Sequence, residues 1–121
     1  MTNMTSAPAK LIFKICPQEL WRKAQESGLF NGAAIDLEDG FIHFSTADQV
    51  RETAARHFAG QDDLVLIAVD RDRLGADLTW EPSRGGDLFP HLYAAFSVVA
   101  VRWTKPLPLG ADGHHQFPDL A

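Results

Sequence analysis

The feature that most constrains the fold is an uninterrupted run of apolar side chains over residues 64–69, flanked by Asp63 and Asp70. The run has the length of a strand, and its valine and isoleucine side chains favour extended backbone. A strand without polar positions leaves neither face to water, so its sheet must be covered on both faces. We therefore predict that residues 64–69 form the central strand of the fold.

Two segments have the spacing of amphipathic helices. In the first, residues 17–27, Leu20, Trp21 and Ala24 recur at helical spacing, and Gly28 provides a C-terminal stop. This spacing predicts a short helix that directly follows a strand.

The second helix is predicted over residues 47–59. Thr46 and Gln49 have the spacing of a capping box, in which the threonine oxygen accepts from a backbone amide and the glutamine reaches back. The helix then carries apolar residues at four-residue spacing, which predict a buried stripe: Val50, Ala54 and Phe58.

Further strands are predicted from short runs of aromatic and branched side chains, at residues 11–15, 41–45, 78–81, 88–93 and 97–103. Alternation puts Phe41, His43 and Ser45 on one face of their strand and Ile42 and Phe44 on the other. Residues 31–32 and 36–40 are rich in turn formers, and both are predicted as turns.

Together these elements predict one compact α+β domain over residues 10–106, with two helices packed on a mixed β-sheet of about six strands. Residues 1–9 are predicted to be disordered. Residues 107–121 are predicted to form a tail that contains proline, glycine and histidine.

The composition excludes several classes of protein. The length of 121 residues suits one domain, and the single cysteine, Cys16, cannot form an internal disulfide. No apolar run approaches the roughly 20 residues of a membrane span, and residues 1–9 lack the pattern of a signal peptide. The net charge of -5 disfavours binding to a long nucleic acid. We therefore expect a cytoplasmic protein whose partner is a small molecule, with no long nucleic acid and no membrane.

Several polar residues lie within otherwise apolar, strand-like segments. His43 and Ser45 share a face, and their strand leads through Thr46 to a helix N-terminus, where backbone amides favour an anion such as phosphate. The alternative is that His43 bonds a neighbouring strand while Ser45 or Thr46 only caps the helix.

A second group of candidates lies near residue 81. Glu81 beside Trp80 could have a raised pKa or could bond sugar hydroxyls, and the alternative is an exposed glutamate at a strand end. Arg84, in a glycine-rich loop, could clamp a phosphate or simply be solvated. His91 and Tyr93 alternate onto one face, where an imidazole could exchange a proton, although a structural histidine beside a core tyrosine fits equally well.

The remaining histidines carry a weaker signal. We interpret His57 as a residue at the boundary of the apolar stripe of its helix. The spacing of His43, His57 and His91 is wide and irregular, so it supplies no metal-binding signature.

Two motifs carry a resemblance to a known family. Gly-Phe-Ile-His-Phe-Ser-Thr over residues 40–46 and Phe-Pro-His-Leu-Tyr over residues 89–93 resemble the small bacterial family called domain of unknown function 952. The resemblance extends over residues 11–105 and also includes Gln49-Val50, the apolar run and Trp80-Glu81. It implies that the chain is a bacterial protein of this uncharacterised family.

A second resemblance is to the middle part of RNA 2′-phosphotransferases, which belong to the ADP-ribosyltransferase superfamily. Residues 42–69 are similar to their His-Leu-Ser-Thr strand, helix and hydrophobic strand. The resemblance implies a split sheet with NAD as a possible cofactor. In that case His43 and Ser45 line the nicotinamide or ribose side, and Glu81 or His91 fills the later catalytic position.

We therefore expect a pocket between the His43 strand and the Glu81–His91 region that holds a small nucleotide-like, phosphate-bearing ligand. As an enzyme, the chain would use His43, Glu81 and His91 for catalysis, and would bind its ligand through Ser45, Thr46, Arg84 and Tyr93. The competing hypothesis is a non-catalytic module that binds a metabolite or protein, in which His43 and His91 are structural. Convergence of His43, Glu81 and His91 on one point would favour the enzyme.

Overall fold

The computed structural model describes residues 10–120, with the exception of the Arg84 side chain. The predicted N-terminal segment, residues 1–9, therefore lies outside the described residues. In chain order the helices and strands are β1 (Leu11–Pro17), α1 (Gln18–Ser27), β2 (Leu29–Phe30), α2 (Ala34–Asp39), β3 (Ile42–His43), α3 (Val50–His57), β4 (Leu64–Asp70), β5 (Leu78–Pro82), β6 (Leu88–Leu92), β7 (Phe96–Ser97) and β8 (Val101–Leu107).

The predicted central strand is confirmed. β4 lies between β1 and β8 in an antiparallel sheet, and every residue of β4 is buried. Alternate residues of β4 enter two separate hydrophobic clusters. The first cluster takes Val65, Ile67 and Val69. The second takes Leu64, Leu66 and Ala68. The apolar run therefore contributes side chains to two hydrophobic cores, one on each face of the sheet.

The predicted mixed sheet is wrong. All strand pairs in residues 10–120 are antiparallel, and they form three sheets with the orders β1-β4-β8, β2-β7 and β3-β6-β5. A helix after a strand often crosses over to a parallel neighbour. Here α1 instead leads into β2, which pairs with the distant β7. The fold is thus α+β, and the described part of the chain has three α-helices rather than two.

The two predicted helices are confirmed, but the second covers residues 50–57 rather than 47–59, and Phe58 lies just beyond its end. α1 buries Trp21 and Ala24 and ends at Gly28, whose φ of 89° is in the left-handed region that glycine adopts without strain. α3 begins at Val50 and buries Val50 and Ala54. Gln49 Oε1 accepts from the Thr46 amide at 3.0 Å, which is the glutamine half of the predicted capping box. The N-cap residue, however, is Gln49, and residues 47–49 form a turn.

The third helix, α2, corrects the prediction of a turn over residues 36–40. Asp36 Oδ2 accepts from the Ala33 amide at 2.7 Å, which stabilises the first turn, and Gly40 ends the helix with a φ of 86°. Gly32 also approaches this helix closely, since a Cβ there would lie 2.9 Å from the Cβ of Asp36.

The predicted strand over residues 97–103 is split in two. Ser97 ends β7, and its Oγ accepts from the Val99 amide at 3.2 Å, so Val98–Ala100 form a 3-10 turn before β8 begins. Beyond β8, Phe117 and Leu120 pack against the second cluster. No helix in residues 10–120 is long and apolar enough to cross a membrane.

Candidate functional site

The sheet β3-β6-β5 has one apolar face and one face rich in aromatic and titratable side chains. Ile42 and Phe44 enter the first cluster, as the alternation predicted. His43 on β3 is the register partner of His91 on β6, so the two side chains lie on the same face of the sheet. Their ring centroids are 5.5 Å apart. Sequence positions 43 and 91 are therefore brought together by strand pairing.

Glu81 joins this pair from the neighbouring strand β5. Its Oε1 lies 2.7 Å from His91 Nδ1 and accepts from the Tyr93 hydroxyl at 2.8 Å. When His91 donates through Nδ1, its Nε2 is an acceptor. His91 is buried, whereas the Glu81 side chain is about one-third exposed. Three of the predicted residues, Glu81, His91 and Tyr93, thus form one hydrogen-bonded group.

Of the possibilities considered for Glu81, the raised pKa is wrong. The hydrogen bond from His91 lowers the pKa of Glu81, and the hydrogen bond from Tyr93 lowers it further. Accordingly the same carboxylate raises the pKa of the Tyr93 hydroxyl, because the hydrogen bond holds the proton on the phenol. Glu81 is therefore an ionised acceptor that orients His91.

Phe41 connects the two histidines through ring contacts. Its ring stacks on His91 with a centroid separation of 4.2 Å and lies 4.6 Å from the ring of His43. The ring of Tyr93 is 5.2 Å away. Phe41 therefore packs on the face of the His91 imidazole, while Glu81 bonds its Nδ1.

His43 is held by a second network. His43 Nδ1 lies 2.7 Å from Asp36 Oδ1, and its Nε2 lies 2.9 Å from Asp39 Oδ2. The Lys14 ammonium bonds Asp36 Oδ1 at 2.9 Å and the carbonyl of His43 at 3.1 Å. A neutral imidazole has one N–H, so His43 can donate to only one of the two aspartates unless it is protonated. The network joins β1, α2 and β3.

The Lys14–Asp36 pair is an ion pair inside the protein. The Lys14 and Asp36 side chains are 5% and 1% exposed. Burial alone would raise the pKa of Asp36, but the hydrogen bond from His43 and the charge of Lys14 outweigh burial and lower the pKa to about 2. Burial lowers the pKa of Lys14, and Asp36 opposes that change. The Asp36 carboxylate is thus ionised throughout the neutral range.

A loss of stability in acid follows from the lowered pKa of Asp36. The folded carboxylate binds a proton less readily than the unfolded one, whose ordinary pKa is 3.8. The contribution is complete above about pH 4 and is lost as the pH falls toward about 2, by about 2 kcal/mol. Urea unfolding across this range measures it. The Asp36→Asn variant should lack this component, so equal acid dependence in both proteins would contradict the prediction.

A cavity of about 520 Å³ opens beside the two histidines. Its wall includes three of the predicted site residues, His43, Ser45 and His91. The other lining residues lie on β1, α2, α3 and β6, or in the segments that directly follow β3 and α3 and precede β6: Phe13, Lys14, Ile15, Ile35, Asp39, Phe44, Thr53, His57, Phe58, Ser83 and Phe89. A volume of this size is in the range that holds small organic ligands.

The other predicted residues are placed differently. Glu81 and Tyr93 do not line the cavity: Glu81 contacts the lining residue His91, and Tyr93 bonds Glu81. Thr46 lines a neighbouring depression of about 630 Å³, together with Gly85. The side chain of Arg84 lies outside the described residues.

The predicted phosphate donors of Ser45 and of the start of α3 have partners within the chain. Ser45 Oγ lies 2.8 Å from Thr53 Oγ1, and the Thr46 amide donates to Gln49 Oε1. The Gln49 and Val50 amides donate to the Thr46 carbonyl. The start of α3 therefore offers fewer free donors to an anion than the sequence suggested.

Sequence reasoning missed three site residues: Lys14, Asp36 and Asp39. The one usable signal was Lys14, a lysine in the middle of an apolar strand. Cys16, two residues further along β1, is fully buried, and burial raises the pKa of its thiol to about 12, so it is not an activated nucleophile. In residues 10–120, no three histidine, cysteine or acidic side chains are grouped so that they could hold a metal ion.

Comparison with known proteins identifies the family. The family model described as protein of unknown function (DUF952) matches residues 15–104, and the chain belongs to this family. Two solved structures of protein CC0527 from Caulobacter crescentus are similar to it. The crystal structure is 51% identical over 88% of this chain and 93% of that chain, with a TM-score of 0.84. The solution NMR structure is 50% identical over 89% and 93%, with a TM-score of 0.80. None of the curated proteins that were compared matches this chain.

Proposed function

We propose that this protein binds a small organic molecule in the His43–His91 cavity and that His91, oriented by Glu81, transfers a proton to or from that ligand. The observation that carries the proposal is the 2.7 Å contact between His91 Nδ1 and Glu81 Oε1, made by a histidine that lines the cavity. A carboxylate bonded to one ring nitrogen fixes the tautomer and leaves the other nitrogen basic. This is the arrangement that a general base requires.

The side chains of the cavity wall favour a ligand with a flat ring. Phe13, Phe44, Phe58 and Phe89 contribute aromatic surface, and hydroxyl and imidazole groups stand among them. A nucleotide-like ligand has both a ring and polar groups. The resemblance to the ADP-ribosyltransferase superfamily therefore makes NAD and ADP-ribose the first compounds to test. A phosphate group has weaker support, because the amides before α3 have acceptors in the chain.

Thermal and urea unfolding with NAD, ADP-ribose and simple nucleotides test the binding step. A ligand at about 100 times its dissociation constant should raise the free energy of unfolding by about 2.7 kcal/mol. His91→Ala should abolish this gain, because it removes the ring that faces the ligand. His114→Ala is the matched control, since His114 is exposed and lies outside the cavity. No stabilisation by any of these compounds would count against a nucleotide-like ligand.

Nitrogen NMR spectra of the imidazole rings test the proton-transfer step without a ligand. His91 should carry its proton on Nδ1 in the native protein, because Glu81 accepts there. The Glu81→Ala variant should lose this preference while keeping its fold. A proton on Nε2 in the native protein would contradict the role proposed for His91.

A second candidate function is a non-catalytic binding module. The observation in its favour is that both ring nitrogens of His43 contact aspartates, so His43 has no nitrogen left for a ligand. In that case any compound that stabilises the fold should be recovered unchanged after incubation with the protein. Conversion of the compound, lost in His91→Ala, would favour the enzyme.

A further inference from the structure

The cavity wall combines aromatic rings with negative charge. Its four phenylalanines are Phe13, Phe44, Phe58 and Phe89. The face of an aromatic ring carries partial negative charge and attracts organic cations, most strongly where water is excluded. Aromatic lining alone would accept neutral and cationic ligands, so the charges around the rings decide between them.

Lys14 is the one lysine or arginine on the wall among the described side chains, and Asp36 neutralises it. The ammonium lies 2.9 Å from Asp36 Oδ1 and 2.7 Å from Asp36 Oδ2, and it also bonds the carbonyl of His43. Its donors are therefore used within the chain. An anionic ligand would have to displace Asp36, which is itself buried.

Asp39 is the carboxylate that remains available to a ligand. It lines the cavity, its side chain is 40% exposed, and one of its oxygens contacts His43 Nε2. Glu81 places a second negative charge near the cavity, because its carboxylate contacts the lining residue His91. Among the described side chains, three carboxylates and one ammonium lie around the two histidine rings: those of Asp36, Asp39 and Glu81, and that of Lys14.

We propose that the cavity selects a cationic group of its ligand, such as an organic ammonium or amidinium, which packs against the phenylalanine rings with Asp39 as its counter-charge. This inference rests on the proposed function, because it concerns the ligand of the same cavity. It applies to the part of the ligand that enters the cavity, and the rest of the molecule stays outside.

Three probes of similar size and different charge test the selectivity: benzylammonium, benzyl alcohol and benzoate. Calorimetric titration should show benzylammonium binding roughly tenfold or more tightly than benzyl alcohol, and benzoate binding most weakly. Asp39→Asn should remove most of the difference between benzylammonium and benzyl alcohol. Asp62→Asn is the control, since Asp62 is exposed and lies outside the cavity wall.

Each other outcome overturns the selectivity in a different way. Benzoate binding as tightly as benzylammonium would show an anion site, and loss of that binding in Arg84→Gln would assign it to the arginine. Equal binding of benzylammonium and benzyl alcohol would reject the charge preference and leave the proposed ligand cavity standing. Failure of all three probes to bind would also reject the charge preference. The nucleotide experiments would then decide the proposed function separately.

Discussion

Replacing Asp36 with alanine is expected to lower the free energy of unfolding by about 3–5 kcal/mol, because it leaves the Lys14 ammonium buried without its counter-charge. Lys14 would keep only the carbonyl of His43 as a hydrogen-bond acceptor among the contacts of the native network. The Ala33 amide at the start of α2 would also lose its acceptor. Urea unfolding at neutral pH measures the change.

Two further variants separate the ion pair from general damage to the fold. The double variant Lys14→Met, Asp36→Leu should recover most of the lost stability, since apolar residues can replace a buried pair at little cost. Glu19→Gln, which weakens the exposed contact with Arg22, should leave the urea unfolding curve nearly unchanged. An Asp36→Ala variant within about 1 kcal/mol of the parent would show that the pair is not buried as described.

Phe30→Ala is expected to cost a similar amount, about 3–5 kcal/mol, because it leaves a cavity at the centre of an aromatic cluster. Phe30 is 1% exposed, and its ring centroid lies 6.2 Å from that of Trp21 and 5.2 Å from that of Phe96. It also holds together β2 and β7, which pair over only two residues each. Urea unfolding with tryptophan fluorescence measures the loss.

The neighbouring residue provides the control for Phe30. Leu29 lies on the same short strand but is 48% exposed. Leu29→Ala should therefore change stability by about 0.5 kcal/mol. Comparable losses in the two variants would mean that the strand pairing, and not the buried ring, supplies the stability.

The parts of the fold that could be predicted are those whose signal is local. The unbroken run of β4 required cover on both faces, and two clusters provide it. The alternation over residues 41–45 placed Ile42 in the core and His43 on the opposite face, as the structure has them. In these cases the position of a side chain within its strand was enough to predict whether that side chain is buried.

The parts that could not be predicted depend on residues distant in the sequence. Asp36 stabilises α2 and anchors His43 inside the protein, where its counter-charge is Lys14, 22 residues earlier in the chain. The pairing of β2 with β7 rests on two residues in each strand, too few for a periodic pattern. The site could be predicted in part, since His43, Glu81 and His91 are close together, but the aspartates that hold His43 looked like turn residues.

The division of the interior by β4 has a consequence for how the domain would respond to an occupant of its cavity. The cavity takes Phe44 from the first cluster and Phe13 and Phe58 from the second. A molecule bound there would touch both halves of the interior at once. Amide hydrogen exchange should then slow on both sides of β4 together, because local openings on either side would have to release the same molecule. Occupancy would thus join two packing units into one cooperative unit.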